Sequence, residues 1–332
     1  MSDQGLVTVT VRVNRFTPHP ERPSRADRAG RRAKSSNPFA RKSSPFGSSS
    51  RRARGKRWTQ DYTLEVRPED TVLDCLLAIK RTLDPTLAFR YSCGHGMCGS
   101  DAVSINGTPT LLCTASVDQW AHPAVEAPSD EGPGNDGFRR TGPIPNEAEA
   151  GANDAANQPG HGGTVDSHPN ATGDLGVIEL APLPGFPVQR DLIADIDPML
   201  DQIRRLKPYL QAKNELKTTA DGKINVFEYL QNPQQLANYE MLTNCIACGV
   251  CEGSCPVFAG GDAFIGPAAL IAASRFVNDS RDGATSERLE QIDTPDGVAA
   301  CQSVRACGRQ CPRGIDVGEE MWQIVAKVRE RA

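Results

Sequence analysis

Residues 245–256 read CIACGVCEGSCP, in which four cysteines are followed by a proline. This C-x2-C-x2-C-x3-C-P run is the iron–sulfur pattern of bacterial ferredoxins, whose fourth cysteine binds the other cluster in two-cluster proteins. Residues 301–312 read CQSVRACGRQCP and repeat the spacing, with valine in the second cysteine slot. Because a valine side chain cannot bind iron, the repeat predicts one complete cluster site beside one that lacks a ligand.

The crossed pattern of a two-cluster ferredoxin divides seven cysteines between two sites. The predicted ligands of a [4Fe–4S] cluster are Cys245, Cys248, Cys251 and Cys311. The predicted ligands of a [3Fe–4S] cluster are Cys255, Cys301 and Cys307, with Val304 at its vacant corner. Two zinc sites are the alternative, because C-x2-C pairs also bind zinc. Zinc leaves the repeated Cys-Pro unexplained.

A third candidate site lies upstream, where the sequence CGHGMCGSD begins at Cys93. Cys93 and Cys98 have the plant-type [2Fe–2S] spacing, with a third ligand slot three residues on and Cys113 as the remote fourth ligand. The third slot holds Asp101, and a carboxylate is an acceptable iron ligand in place of a thiolate. The alternative is that Asp101 only forms hydrogen bonds nearby. His95 occupies a spacer position, which predicts a role around the site and not ligation.

Cysteine usage and hydropathy limit the class of protein. Ten of the 11 cysteines fall on cluster spacings, which indicates a reducing compartment and not a disulfide scaffold. The remaining Cys75 lies in an apolar helical pattern at residues 71–79, and we expect it in a core. No apolar run approaches membrane-spanning length, so we expect a soluble chain that is at most peripheral to a membrane.

Composition also divides the chain. Alternating valines at residues 7–13 and a second pattern at residues 62–66 predict strands. Residues 15–57 carry 14 Lys or Arg against two acids and few aliphatic side chains, which predicts a disordered basic insertion. Residues 121–176 carry nine acids against two arginines and form a low-complexity insertion or linker. An extended segment opens residues 177–332, where apolar residues then recur at helical spacing.

The basic insertion raises nucleic-acid binding as an alternative function. Its charges are not regularly interleaved with aromatic residues, and no known nucleic-acid fold accompanies it. We therefore expect no nucleic-acid partner, and a solvated loop is the simpler interpretation.

The order of the three sites resembles that of the iron–sulfur subunits of succinate dehydrogenases and fumarate reductases. Further likeness lies in PLPGFPV at 182–188, RDL at 190–192, KPYL at 207–210, FIGPA at 264–268, RF at 275–276 and DSRD at 279–282. The resemblance implies an α+β chain. A β-grasp [2Fe–2S] ferredoxin domain over residues 5–120 precedes an all-α helical ferredoxin domain over residues 177–332, which carries the [4Fe–4S] and [3Fe–4S] clusters.

The function implied by the resemblance is that of an electron-transfer subunit of succinate dehydrogenase. Electrons from the FAD of a flavoprotein subunit pass through the [2Fe–2S], [4Fe–4S] and [3Fe–4S] clusters to a membrane quinone. No catalytic residue is assigned to this chain, because succinate chemistry is expected on the flavoprotein. Membrane anchor subunits, with or without haem, are the other implied partners, and the implied location is peripheral, on the cytoplasmic face of the cell membrane. The aspartate at Asp101 favours succinate oxidation, since fumarate reductases usually have cysteine there.

Two alternatives stay open for the function. One is a fumarate reductase subunit that runs in reverse from menaquinol. The other is a freestanding ferredoxin-like electron carrier.

The quinone end departs from the ubiquinone-type members of the family. Those members have a tryptophan pair after the Cys-Pro, where this chain has Val257 and Phe258. They also have a histidine after the cysteine matched by Cys301, where this chain has Gln302. Pro256 and Gln302 are the expected quinone contacts, and the departure is compatible with menaquinone.

Overall fold

The computed structural model describes residues 5–19, 54–123, 173–212, 218–223 and 230–331. The interior of the basic segment and most of the acidic segment therefore lie outside the described residues. The prediction that these insertions lack order stays untested.

The N-terminal part of the chain is a mixed five-stranded sheet with the strand order β2-β1-β5-β3-β4. The strands are β1 (Val7–Pro18), β2 (Gly55–Val66), β3 (Ala102–Ile105), β4 (Thr108–Leu111) and β5 (Asp174–Ala181). β1 pairs antiparallel with β2 and parallel with β5. Val9, Val11 and Val13 are fully buried on one face of β1, which confirms the alternating strand pattern.

The strands extend into the predicted basic insertion. β1 continues to Pro18 and β2 already begins at Gly55, so both edges of the 15–57 insertion lie in the sheet and not in a loop. The reason lies in the burial of two residues at this end of β1. Arg15 is 4% exposed and forms ion pairs with Asp84 and Asp191, and Phe16 is 2% exposed. A basic residue that composition alone assigns to solvent is thus paired inside the fold.

Strand β5 crosses the domain boundary that the sequence predicts at residue 177. It follows the acidic segment, yet it pairs with β1 on one side and with β3 on the other. Ile178 and Leu180 are fully buried in the same core as the valines of β1. The N-terminal sheet is therefore completed by residues that the sequence pattern assigns to the linker and the helical domain, because strand pairing across a long insertion leaves no local signal.

Helix α1 (Val72–Ala78) packs on this sheet. It begins with a capping box, in which the Thr71 side chain accepts from the backbone N–H of Asp74 and the Asp74 carboxylate accepts from the backbone N–H of Thr71. Cys75 is 1% exposed, and burial raises its pKa to about 12. The prediction that Cys75 is a core residue is confirmed.

The C-terminal part is helical around a second core. Helix α2 (Val117–Trp120) still belongs to the N-terminal part. In the described residues, the helices of the C-terminal part are α3 (Asp197–Arg205), α4 (Pro233–Ala237), α5 (Val250–Ser254), α6 (Pro256–Gly260), α7 (Pro267–Val277), α8 (Thr285–Ile292), α9 (Ala306–Arg309) and α10 (Val317–Arg331). A two-stranded ribbon, β6 (Val188–Arg190) and β7 (Ile193–Ala194), joins the two parts. Met321 and Val328 of α10 are buried and Val325 is partly buried, as their helical spacing predicts. The α+β fold class is confirmed.

Candidate iron–sulfur sites

The first candidate site lies at the open end of the hairpin that β3 and β4 form in the N-terminal sheet. The loop that carries Cys93 and Cys98 runs into β3, and Cys113 follows β4. β3 and β4 form a hairpin through Asn106 and Gly107, both at positive φ, as a tight two-residue turn requires. The hairpin therefore brings the remote cysteine back to the loop.

Backbone amides of the loop point at the cysteine sulfurs. The N–H of Gly96 donates to Cys113 Sγ at 3.2 Å, and the N–H of Met97 donates to Cys93 Sγ at 3.4 Å. The N–H of Cys93 also donates to Cys98 Sγ at 3.5 Å. Gly96 has φ +77°, which lets the chain curl so that its amides face inward. Such donors stabilise negative charge on sulfur, and backbone hydrogen bonds, first that of His95, lower the pKa of the Cys93 thiol to about 7.

Asp101 is 2% exposed, and its two carboxylate oxygens differ. Oδ2 accepts a hydrogen bond of 2.7 Å from the N–H of Cys113, whereas Oδ1 is buried and has no hydrogen-bond partner. A buried carboxylate oxygen without a partner is costly unless something positive binds it. Burial and the hydrogen bond with Asp101 raise the pKa of the Cys113 thiol to about 12, so this thiol needs a nearby cation in order to ionise. The donor set fits iron.

His95 makes a contact with the backbone of the same loop. Its Nδ1 lies 2.8 Å from the carbonyl oxygen of Cys93, and its side chain is exposed. This contact places His95 around the site, at the spacer position that its sequence slot indicates.

The second candidate site is a cavity in the helical part, with about 390 Å³ of space not filled by atoms. It is lined by the four cysteines predicted for the [4Fe–4S] cluster, Cys245, Cys248, Cys251 and Cys311. The rest of its lining includes the apolar Ile246, Ile271 and Ile315. Burial raises the pKa of Cys248 to about 11 and holds that of Cys251 well above its usual value, so these thiols need metal charge in order to ionise.

The third candidate site is a cavity that opens at the protein surface. The three cysteines predicted for the [3Fe–4S] cluster, Cys255, Cys301 and Cys307, line it together with Val304. Pro256 and Gln302, the expected quinone contacts, lie on the same wall. The Val304 side chain is 54% exposed, so the wall that lacks a sulfur faces the surface.

The backbone of the two cysteine runs repeats as closely as their spacing. The residues before and after Cys248 are Ala247, with φ +50°, and Gly249, with φ +82°. The matching residues around Val304 are Ser303, with φ +56°, and Arg305, with φ +61°. The left-handed conformation costs roughly 1–2 kcal/mol in a residue with a side chain. The second run therefore keeps the cluster-wrapping conformation even where the sulfur is missing.

The fourth cysteine of each run reaches the other cavity. Cys251 and Cys255 stand at opposite ends of α5, and they line the second and the third cavity respectively. Pro256 directly after Cys255 starts α6, a position that proline favours because its missing N–H has no helical partner there. Cys-Pro thus ends one helix and redirects the chain toward the neighbouring site.

Sulfurs that surround a cavity suit a cluster and not a single ion. In the described part of the chain, no three His, Cys, Asp or Glu side chains stand close enough together to hold one metal ion. A tetrahedral zinc site requires four ligands about 2.0–2.3 Å from one centre. The arrangement therefore favours the cluster interpretation over the zinc alternative.

A buried glutamate beside the second site was missed by the sequence reasoning. Glu252 directly follows Cys251 and is fully buried, and burial raises its pKa to about 8. Its Oε1 accepts a hydrogen bond of 3.1 Å from the N–H of Ala268, and Oε2 has no hydrogen-bond partner. A Cβ on Gly266 would lie 2.2 Å from Oε2, so only glycine fits there. Both residues that Glu252 contacts, Gly266 and Ala268, belong to the FIGPA stretch at 264–268. The presence of that stretch was the only hint in the sequence.

The three candidate sites lie in a row. Gly99 in the first loop packs against Cys248 of the second site. The second and third cavities adjoin at the start of α7, where Ala268 lines one and Pro267 lines the other. No helix in the described ranges is both long and apolar enough to cross a membrane.

Comparison with known proteins agrees with this arrangement. Residues 10–201, more than half of the chain, match the 2Fe-2S iron-sulfur cluster binding domain, and residues 241–315 match the 4Fe-4S dicluster domain. The fumarate reductase iron-sulfur subunit of Mycobacterium tuberculosis (strain CDC 1551 / Oshkosh) is 30% identical over 257 residues, which cover 77% of this chain and 80% of that protein. A chain of the Mycobacterium smegmatis Sdh1 complex in the apo form has the same fold. Its TM-score is 0.60 at 19% identity, and the match covers 98% of both chains.

Proposed function

Because the chain belongs to the family of iron–sulfur subunits of succinate dehydrogenases and fumarate reductases, we propose that it transfers electrons between a flavoprotein and a membrane quinone. The observation that carries the proposal is the row of three cysteine-lined sites, which runs from the sheet to the surface at Val304. Clusters bound there supply one-electron redox chemistry at potentials set by hydrogen bonds, charge and exposure.

The residues of the chain hold each cluster and set its surroundings. We assign Cys93, Cys98, Asp101 and Cys113 to a [2Fe–2S] cluster, and Cys245, Cys248, Cys251 and Cys311 to a [4Fe–4S] cluster. Cys255, Cys301 and Cys307 are assigned to a [3Fe–4S] cluster. Amide donors at the first site favour added negative charge, and the apolar walls of the second keep water away.

We assign the end of the relay to the third cavity. It is the one whose wall carries an exposed apolar side chain, Val304, next to Pro256 and Gln302. The Gln302 amide can donate a hydrogen bond to a quinone carbonyl. Menaquinone is the proposed quinone, and membrane anchor subunits are the proposed partners on this side. The complex would sit at the cytoplasmic face of the membrane.

Succinate oxidation is the direction that we propose, because the third ligand slot of the first site holds Asp101. Fumarate reduction is the second candidate, and it is favoured by the relative that is named a fumarate reductase subunit. Two turnover rates of the native complex distinguish these directions. One is measured with succinate and a menaquinone analogue, and the other with fumarate and the corresponding menaquinol. A faster second rate would reverse the assignment.

The proposal is tested by purifying the native chain through a tag and identifying what accompanies it. We expect a flavoprotein with FAD and at least one membrane subunit. Electron paramagnetic resonance (EPR) should give a [3Fe–4S] signal when the complex is oxidised, and [2Fe–2S] and [4Fe–4S] signals as it is reduced. A chain that purifies alone and reduces only soluble acceptors would instead be a freestanding carrier.

A further inference from the structure

The loop of the first site touches the loop of the second site without an intervening side chain. Gly99, which follows Cys98, has φ +66°. A Cβ built on it would lie 2.5 Å from the Cβ of Cys248, 3.0 Å from its Cα and 3.3 Å from Cδ1 of Ile246. Two of these atoms belong to a proposed ligand of the second site, and Gly99 is bonded to a proposed ligand of the first. The contact therefore joins the two sites directly.

Arg313 makes a second contact between the same two loops. It follows Cys311 and Pro312, and it lines the second cavity. Its Nη1 donates to the sulfur of Met97 in the first loop at 3.0 Å. Its Nε is buried without a hydrogen-bond partner, whereas the bond from Nη1 to Met97 lies at the exposed edge of the contact. Gly99 and Arg313 thus mark two points of one contact surface.

The distance between the loops depends on the missing side chain. Carbon atoms pack best at about 3.5–4.0 Å, so a methyl group at Gly99 would push the loops apart by about 1 Å. The atoms facing it include the backbone Cα of Cys248, which cannot swing aside as a flexible side chain can. Electron transfer slows steeply with distance, and here the separation would act on the gap between two cluster sites.

We propose that Gly99 and Arg313 are positioning residues that hold the first two cluster sites at contact distance. Gly99 does so by lacking a side chain, and Arg313 does so by bridging to Met97. This inference rests on the proposed function, because the spacing of the two sites matters only if electrons pass between them. Its test needs neither succinate nor quinone, so the two can fail separately.

The experiment compares Gly99→Ala with Gly94→Ala in the complete cluster-loaded chain. Gly94 lies in the same loop at φ +73°, but a Cβ there would meet nothing within 4 Å. Both variants thus carry the same kind of backbone strain, and only Gly99→Ala carries the clash. Iron and sulfide contents establish that both hold their clusters.

The readout is the magnetic interaction between the two clusters in dithionite-reduced protein. Spin–spin coupling falls with the cube of distance, so Gly99→Ala should lose part of the relaxation enhancement of the [2Fe–2S] EPR signal. Gly94→Ala should keep the wild-type enhancement. Equal enhancement in Gly99→Ala and wild type would overturn the role of Gly99.

A second pair of variants covers the case in which Gly99→Ala does not retain its clusters. Arg313→Gln removes the bridge to Met97, and Arg309→Gln removes an exposed charge nearby as the control. We expect a lower relaxation enhancement in Arg313→Gln alone. An unchanged enhancement in Arg313→Gln would overturn the proposal.

Discussion

Asp101 and Val304 occupy ligand slots in which a cysteine would be the usual residue, and they behave differently. The carboxylate of Asp101 is buried and keeps one oxygen without a partner, so it offers a ligand atom. The side chain of Val304 offers none, and it faces the surface. The proposed ligand set therefore has four members at the first site and three at the third.

Replacing Asp101 by alanine removes both the free oxygen and the acceptor of the Cys113 N–H. We expect Asp101→Ala to lose most of the [2Fe–2S] EPR signal, while the signals of the other two clusters remain. Asp118→Ala, at an exposed position after the same hairpin, should leave all three unchanged. A full [2Fe–2S] signal in Asp101→Ala would show that this carboxylate is not a ligand.

Replacing Val304 by cysteine restores a sulfur at the position that corresponds to Cys248. Since the flanking backbone angles match in the two runs, the new thiolate should reach the third cavity. We expect the oxidised [3Fe–4S] EPR signal to disappear and the iron content to rise by one atom per chain. Val304→Ala is the control and should keep the signal. Persistence of the signal in Val304→Cys would contradict a [3Fe–4S] assignment that rests on the missing ligand.

At the scale of elements, one arginine ties two separate stretches of the helical part together. Arg288 on α8 is 2% exposed and pairs with the fully buried Asp282 at 2.9 Å. It also donates to the carbonyl oxygens of Leu206, Lys207 and Tyr209. The KPYL and DSRD stretches, which had no assigned role, are thus joined by this side chain.

Arg288→Ala leaves the buried Asp282 carboxylate without its ion-pair partner and removes a donor from three carbonyl oxygens, of which that of Lys207 still accepts from the N–H of Tyr209. Removing one partner of a buried pair costs about 3–5 kcal/mol, so we expect the free energy of unfolding to fall by about that much in urea titrations followed by circular dichroism. Lys207→Ala removes an exposed ion pair with Glu287 and should lower the free energy of unfolding far less than Arg288→Ala does. Similar losses in the two variants would argue against a structural role for the buried pair.

At the scale of the whole molecule, the N-terminal sheet depends on a strand that is distant in sequence. β5 lies in the middle of the strand order, between β1 and β3. Without it, no strand among the described residues connects the β1–β2 pair to the β3–β4 hairpin. Asp191, which follows β6, is a second distant residue that holds this part of the chain together. Its carboxylate accepts hydrogen bonds from the N–H groups of Phe16 and Ala88.

A chain that ends after residue 123 should therefore not form a folded [2Fe–2S] domain. A chain that ends after residue 201 contains β5 and Asp191, and it should fold and bind the cluster. Circular dichroism and the visible absorption of reconstituted protein measure both properties. A stable red protein from the shorter chain would contradict the central role of β5.

The ferredoxin character of the chain was predictable from local patterns. Strand β1, helix α1 with Cys75 and the last helix follow from apolar periodicity, and the predicted cysteine groups line the same cavities in the structure. The boundaries at residues 15, 57 and 177 were not predictable, because Arg15 is buried by partners far along the chain and β5 pairs across the acidic segment.

The sequence by itself determined which cysteines of the two repeated runs line the same cavity and where valine stands in place of a cysteine, because short spacings constrain the backbone locally. Only the tertiary structure decided that β5 completes the sheet, that Glu252 is buried beside the second site and that Gly99 packs on Cys248. These facts depend on contacts between segments far apart in the chain. The grouping of the cysteines is therefore readable from the sequence, whereas the distance between the sites is a property of the fold.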